Sequence, residues 1–239
     1  MGQVVTFAEL ATHRIADGVE SAPVDVPTQE MAVEFVRIAP GKRWTATAPR
    51  GSDCYLFMLS GAATIAAAGD EERMPTQAFA TVQEGETFTI DNGANVPAGI
   101  VKVIAPPRQN ERSFKGFADG LSVIERGTAP MLESPDEHKT RLYFVGKEAA
   151  KSERGHAMIV IYDKETVTGM HMHPNAESMF VLLDGAIQFT VNGELKVVKP
   201  GQAAIFGMSD RHGLRAADGV SAASFLEFHI PAGYTTVRG

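Results

Sequence analysis

The residues best suited to chemistry lie close together in the second half of the chain. His171 and His173 are two positions apart, Glu177 follows four positions later, and His212 lies further along. On a β-strand, residues two apart project from the same face. Neutral imidazoles and a carboxylate suit Fe, Mn, Co, Ni or Zn and leave coordination positions open for water or substrate. The cluster predicts a transition-metal site, the alternative being a group of polar side chains without an ion.

Short apolar segments bounded by glycine and proline predict the strands that would position these residues. In the first half they span 33–38, 55–59, 62–68, 87–90 and 100–104; in the second half, 158–162, 179–183, 186–191, 195–198, 203–206 and 224–230. The step Val191-Asn192-Gly193-Glu194 predicts a tight hairpin, because Asn-Gly accepts positive φ. Helical periodicity is scarce, and one short helix is predicted near 147–152. The pattern favours an all-β fold.

The two halves of the chain resemble each other. Residues 55–61 align with 179–185, and residues 84–90 align with 200–206, the offsets differing by an enlarged loop near 69–77. Internal similarity of this length indicates a duplicated unit. We therefore expect two β-domains of similar fold.

The candidate ligands also resemble the two sequence motifs of the cupin superfamily. The residues that match are Gly169, His171, His173, Glu177 and Gly185 for the first motif and Gly201 and His212 for the second. Gln202 and Gly207 depart from a frequent Asp and a frequent Pro, and both positions concern turn geometry. The resemblance covers the chain as a two-barrel protein, a bicupin, with the metal motif intact only in the C-terminal barrel.

This resemblance implies two tandem cupin barrels of the double-stranded β-helix or jelly-roll type. The expected divisions are 1–106 for the N-terminal barrel, 107–140 for a connector and 141–239 for the C-terminal barrel. One divalent transition metal would be held by His171, His173, Glu177 and His212. Fe(II) or Mn(II) is favoured, and Zn, Ni or Co would also fit this ligand set.

The first half lacks the histidines. Alignment places Thr47, Pro49 and Val96 at the histidine positions and Asp53 at the position of Glu177. One carboxylate does not hold a transition metal, so we expect an N-terminal barrel without metal. Its role would be to pack, shape the pocket or dimerise, or alternatively to bind an organic effector.

The resemblance implies a metal-dependent enzyme acting on a small polar carbonyl or carboxylate compound. A dioxygenase is the first expectation, because this ligand set in cupins is often iron-bearing. A non-redox isomerase, lyase or decarboxylase is the second, with the metal as Lewis acid. The third is a non-catalytic, metal-stabilised protein that binds a small molecule.

Several residues around the predicted metal are candidates for a role in catalysis or substrate binding. A general base is not evident, and His156, Tyr162 and Glu227 are candidates. Arg211 and Arg215 flank His212 and would suit a substrate carboxylate, unless they are solvated loop residues. His229 shares a strand face with Glu227, opposite an apolar face, so we expect these two to form a solvated or interface pair.

Composition excludes several classes of protein. The formal net charge is −7, with 22 Lys+Arg against 29 Asp+Glu and no basic block, which argues against nucleic-acid binding. The N-terminus does not resemble a signal peptide, and no apolar run is long enough to span a bilayer. A cytoplasmic location is expected, and the resemblance implies a homodimer. The single cysteine, Cys54, should be a buried small hydrophobe.

Overall fold

A computed structural model describes residues 2–25, 30–106, 113–191 and 193–239. Within these ranges the chain forms strands, with short 3-10 helices at Phe7–Glu9 and Pro135–Glu137 and no α-helix. No helix there is long and apolar enough to cross a membrane. The all-β prediction is confirmed.

The eleven predicted strands are all present. The first half contains β1 Gln3–Thr6, β2 His13–Ala16, β3 Val19–Pro23, β4 Ala32–Ile38, β5 Lys42–Thr47, β6 Asp53–Ser60, β7 Ala63–Ala67, β8 Asp70–Met74, β9 Phe79–Val82, β10 Thr87–Asn92 and β11 Ala98–Ala105. The second half contains β12 Leu121–Ile124, β13 Met131–Ser134, β14 Lys139–Val145, β15 His156–Asp163, β16 Val167–Met172, β17 Glu177–Asp184, β18 Ile187–Val191, β19 Glu194–Val198, β20 Gln202–Phe206, β21 His212–Ala216, β22 Ala222–Ile230 and β23 Val237–Arg238.

Two local predictions have different outcomes. The hairpin between β18 and β19 is confirmed: Val191 pairs with Glu194 and Gly193 has φ +82, while Asn192 lies outside the described residues. The short helix near 147–152 is wrong. Gly146 and Lys147 have φ +102 and +46, which a right-handed helix does not accept, and these residues form turns.

Each half of the chain builds a barrel from two sheets. The strand orders are β12-β9-β6-β11-β4-β3-β2 with β5-β10-β7-β8 in the first, and β1-β20-β17-β22-β15-β14-β13 with β19-β18-β21-β16-β23 in the second. All pairs are antiparallel. The two large sheets have matching orders, as a duplicated unit requires.

The barrels exchange one strand each. β1 pairs with β20 in the second barrel, and β12 pairs with β9 in the first. The predicted connector 107–140 therefore contains β12 and β13, which extend one large sheet of each barrel; residues 107–112 of it lie outside the described residues. The boundaries themselves stay a prediction.

Three apolar clusters form the core. One fills the first barrel and includes Trp44, Phe88 and the predicted buried Cys54, whose thiol pKa burial raises to about 12. A second fills the barrel of the second half around Phe180 and Phe225. The third lies between the two large sheets, so the strands of those sheets are buried on both faces.

Candidate metal centre

Three histidines meet inside the second barrel. His171 near the end of β16 pairs with His212 at the start of β21, and His173 follows just after β16. All three are buried. One ligand nitrogen from each lies within 4.8 Å of the others, and the ring centroids are 4.3 to 5.5 Å apart. Adjacent antiparallel strands thus bring together residues that are about 40 positions apart in the sequence.

The backbone orients each imidazole. The Nδ1–H of His171 donates to the carbonyl of Gly169 at 2.9 Å, and that of His212 donates to the carbonyl of Asp210 at 3.0 Å. The Nδ1–H of His173 donates to the carbonyl of Thr235 at 3.0 Å. Such bonds fix the tautomer and leave Nε2 with its lone pair, as in metal-ligating histidines.

Two of the three Nε2 atoms lack a hydrogen-bond partner within the described part of the chain. In the described residues, Nε2 of His173 and Nε2 of His212 are buried and unpaired. Buried polar atoms normally have a partner, and an orphaned one calls for an explanation such as an ion. Three converging imidazole nitrogens with this orientation fit a divalent transition metal.

The histidines are held neutral, as metal binding requires. Burial is the largest cause in every case. It lowers the pKa of His173 to about 4 and that of His212 to about 3, and it lowers the pKa of His171 as well. Nearby imidazoles add to the lowering of the pKa at His173 and His212, because one protonated ring repels another.

Glu177 does not join this group, which corrects the predicted ligand set. Its Oε2 accepts a hydrogen bond from the backbone N–H of Glu30 at 2.8 Å. Along β17, Met179 and Val181 face the core between the barrels, and Glu177 shares their face. The neighbouring residue, Ser178, occupies the interior face instead. The glutamate of the sequence motif therefore lies one position before the residue of β17 that faces the barrel interior.

The interior carboxylate comes from β22. Glu227 Oε1 lies 2.7 Å from His229 Nε2, and Ser178 Oγ lies 2.9 Å from His229 Nδ1. The ring of His229 is 4.6 Å from that of His173. The prediction of a solvated or interface pair is wrong: Glu227 and His229 do lie opposite the apolar face of β22, but that opposite face is the barrel interior.

Burial and the neighbouring imidazoles act in opposite directions on the pKa of Glu227. Burial by itself raises the pKa of this carboxyl, but His229, together with His156 and His173, acts in the opposite direction, and the net effect is a lowered pKa. Glu227 is therefore an ionised carboxylate within the barrel.

The C-terminal segment covers this side of the barrel. Tyr234 stacks on His229 at 3.9 Å and packs edge-on against His173 at 5.2 Å. β23 pairs with the His171 end of β16. The segment therefore forms part of the wall around the histidines, which no sequence motif indicated.

A cavity of about 130 Å³ reaches the histidines. Its lining includes His171, His173, Glu227, His229 and Tyr234 at the inner end. Charged side chains also line it: Glu137, Lys139, Arg141 and Arg238. Arg141 pairs with Glu137 at 2.5 Å, and Lys139 lies 3.8 Å from the same carboxylate. The lining thus carries three cationic and two acidic side chains.

Of two further predicted site residues, Tyr162 lines the cavity and His156 does not. The hydroxyl of Tyr162 is hydrogen-bonded to Thr168 at 2.5 Å. His156 lies behind the lining, 5.8 Å from Tyr234 and 6.3 Å from His229 between ring centroids.

Arg211 and Arg215 do not face the cavity, which corrects their candidacy as carboxylate binders. Arg211 donates to the carbonyl of Gly239, and Arg215 pairs with Asp218 at 2.9 Å. Both are exposed. The arginines that line the cavity are Arg141 of β14 and Arg238 of β23. The sequence did not indicate that these strands contribute to the site.

The first barrel has a different interior. Thr47 ends β5 and pairs with Thr87 at the start of β10, as His171 pairs with His212, so Val96 is not the counterpart of His212. Asp53 faces the inter-barrel side like Glu177 and bonds Tyr55, Ser152 and Arg154. Among the described residues, the three histidines are the only group of His, Cys, Asp or Glu found close enough to share a metal.

Comparison with known proteins agrees with this architecture. A family model, the Cupin domain, matches residues 158–229. The second half of the chain carries a cupin domain. The protein TcmJ of the tetracenomycin polyketide synthase of Streptomyces glaucescens is 32% identical over 71 residues, which are 30% of this chain and 48% of that protein. The matched cupin region thus spans about half the length of that curated relative.

Solved structures extend the cupin likeness to both barrels. The oxalate decarboxylase of Lactobacillus farciminis, in its formate complex, superposes with TM-score 0.74 over 98% of this chain and 88% of its own, at 13% identity. A cupin 2 conserved barrel protein from Leptotrichia buccalis gives 0.68 over 95% and 96%, at 16% identity. The fold is that of two tandem cupin barrels.

Proposed function

We propose that this bicupin is a metal-dependent enzyme acting on a small carbonyl compound that carries a carboxylate. The observation that carries the proposal is the convergence of three neutral imidazoles whose Nδ1 atoms are bonded to backbone carbonyls. Their Nε2 atoms would hold one divalent metal. When bound, the metal supplies a Lewis acid that polarises a carbonyl oxygen.

The charge of the cavity favours an anionic substrate. The cavity lining carries three cations, Lys139, Arg141 and Arg238, and two carboxylates, Glu137 and Glu227. A divalent metal on neutral histidines would add two further positive charges. Burial lowers the pKa of Lys139, which shows that a cation is costly at this position. A carboxylate would offset that cost, and arginine binds carboxylates in two-pronged geometry. The cavity volume of about 130 Å³ is sufficient for a substrate of a few carbon atoms.

The position of the acidic groups favours non-redox chemistry over the dioxygenase first expected from the sequence. That expectation depended on Glu177 as a ligand, and Glu177 lies on the face of β17 that meets the core between the barrels. A partly buried carboxylate, Glu227, instead lines the cavity without belonging to the ligand group. An isomerase, lyase or decarboxylase needs such a group to move protons. Oxalate decarboxylase, which shares the fold, acts on a small carboxylate.

A dioxygenase is the second candidate. Three neutral imidazoles leave several coordination positions open, and this set also suits Fe(II). The two candidates differ in whether turnover consumes O₂.

The test uses the protein loaded with Zn(II), Mn(II) or Fe(II), each with pyruvate, oxaloacetate or acetoacetate. Products are followed by NMR under nitrogen and under air, with an oxygen electrode in the second case. The proposal predicts turnover or C–H exchange without oxygen. Turnover only in air, with O₂ consumed, would favour the dioxygenase; tight binding without turnover in either atmosphere would favour the non-catalytic binding protein. We also propose the homodimer, which light scattering tests.

A further inference from the structure

Three side chains from β17 and β22 form a hydrogen-bonded chain beside the three histidines. The Ser178 hydroxyl is hydrogen-bonded to Nδ1 of His229 at 2.9 Å, and Nε2–H of His229 donates to Oε1 of Glu227 at 2.7 Å. The two strands are paired so that Ser178 lies directly opposite His229. Ser178 and His229 are about 1–2% exposed, and Glu227 has a 14% exposed side chain.

We infer that Glu227 is the general base of this site, with His229 and Ser178 as residues that position it. The inference rests on the proposed function, because it assumes a carbonyl substrate at the three histidines. It names the residue that takes a proton from the carbon next to that carbonyl.

The geometry gives Glu227 the necessary access. It lines the same cavity as His171 and His173, one imidazole ring away from His173. His229 occupies Oε1, and the described part of the chain makes no hydrogen bond to the other carboxylate oxygen, which leaves that oxygen for the substrate. The hydrogen bond from His229 also restricts the carboxylate to one orientation. The imidazole of His229 is itself held by its hydrogen bond to Ser178 and by stacking on Tyr234 at 3.9 Å. A base held in this way is positioned before substrate arrives.

The other titratable groups of the cavity suit this role less well. Glu137 is engaged by Arg141 and Lys139. Tyr162 and Tyr234 have pKa values raised by burial, so their hydroxyls are protonated at neutral pH and are not bases. The imidazoles of His171, His173 and His212 are turned toward one another.

Glu227 would remove one proton from the substrate and later return one. The C–H bond next to the substrate carbonyl breaks, its proton goes to Glu227, and its electron pair forms the enolate of the substrate. Return of a proton from Glu227 to carbon regenerates the carboxylate. In D₂O the proton on Glu227 exchanges with solvent, so the returning atom is deuterium.

The experiment measures deuterium entry into the methyl group of pyruvate. Zinc-loaded wild type is compared with Glu227→Gln, Glu227→Asp, Ser178→Ala and the control Glu194→Gln, which alters an exposed glutamate of the same barrel. Mass spectrometry gives the exchange rate, elemental analysis gives zinc per chain, and calorimetry gives the pyruvate dissociation constant. Proton NMR of the zinc protein monitors the downfield imidazole N–H signal of the His229–Glu227 hydrogen bond.

We expect Glu227→Gln to exchange pyruvate about 10²- to 10⁴-fold more slowly, the usual contribution of a general base. Its zinc content and pyruvate affinity should stay within threefold of wild type, and the downfield signal should be lost or shifted. Glu227→Asp should restore part of the rate. Ser178→Ala should lower the maximal exchange rate while leaving the pyruvate concentration for half-maximal rate unchanged, and Glu194→Gln should match wild type.

Exchange by zinc-loaded Glu227→Gln at the wild-type rate would overturn the inference and leave the proposed function standing. Wild type that binds zinc but exchanges no pyruvate proton would also overturn it. Wild type that binds no zinc would contradict the proposed function itself. The two failures are therefore separable.

Discussion

Each clustered histidine is oriented by a backbone carbonyl, two of them supplied by the residue two positions earlier. Gly169 serves His171 and Asp210 serves His212, whereas His173 depends on Thr235 in the C-terminal segment. The orientation of two imidazoles is thus local to their strands, and that of the third requires tertiary structure. The imidazoles were predictable from residue type and spacing, but the partner of His173 was not.

The low pKa values of these histidines predict a pH dependence of stability in the metal-free protein. The pKa is about 4 for His156 and His173 and about 3 for His212, against 6.5 for an ordinary histidine. The unfolded chain therefore takes up protons below pH 6.5 while the folded protein does not. The free energy of unfolding should fall as pH falls from about 6.5 to about 5, by at most about 1.4 kcal/mol per pH unit for each histidine.

Urea unfolding in the presence of a chelator tests this between pH 7.5 and 5. His212→Gln should reduce the slope by up to about 1.4 kcal/mol per pH unit. His13→Gln, at an exposed position, serves as the matched control. An unchanged slope in His212→Gln would contradict the burial of a neutral imidazole at that position.

At the scale of elements, β17 and β22 are central strands buried on both faces. Apolar alternation in 224–230 identified one buried face, and the other was expected to meet solvent or a partner. The large sheet lies between the barrel interior and the inter-barrel core, so Glu227 and His229 face inward. Period-two patterns give the face that a residue shares but not what covers that face. Glu177 was placed among the ligands for another reason: it matches the spacing of the motif, and that spacing does not say which face of β17 the carboxylate occupies.

The turn after β17 requires glycine at position 185. Gly185 has φ +71, and a Cβ there would collide with the carbonyl oxygen of Ala222. Gly201 has φ +85 with nothing within 4 Å of its Cβ position. Gly201→Ala should therefore cost about 1 kcal/mol of backbone strain. Gly185→Ala should cost about 2–4 kcal/mol, because the backbone of β22 must also shift.

Urea denaturation of the two variants measures the difference in free energy of unfolding. Equal losses at Gly185 and Gly201 would show that β22 yields to the added methyl group without cost, contrary to this account.

At the scale of the molecule, the two barrels are joined by strand exchange and by a shared core. β1 belongs to the second barrel by pairing, although nearly 200 residues separate it from β20. The duplication and the two-barrel fold were predictable from the match between residues 55–61 and 179–185, which lie in the corresponding strands β6 and β17. The second match, of 84–90 to 200–206, is wrong, because it aligns β10 of a small sheet with β20 of a large sheet, whose counterpart is β9. The exchange was not predictable, because strand patterns do not specify a distant partner.

This connection predicts that the barrels unfold together. Trp44, the single tryptophan, lies in the core of the first barrel, whereas the three histidines lie in the second. The fluorescence of Trp44 and the release of zinc, detected with a chromophoric chelator, should therefore have the same urea midpoint. Two separate midpoints would contradict the coupling through β1, β12 and the inter-barrel core.

The three-histidine site can be tested by the metal content of protein purified without oxygen. Wild type is compared with His212→Ala and with the control His13→Ala. We predict about one divalent metal per chain in wild type and in His13→Ala, and none in His212→Ala, because that variant removes one of three converging ligands. Wild type that takes up no metal even after reloading, or His212→Ala that retains a full equivalent, would contradict the three-histidine site.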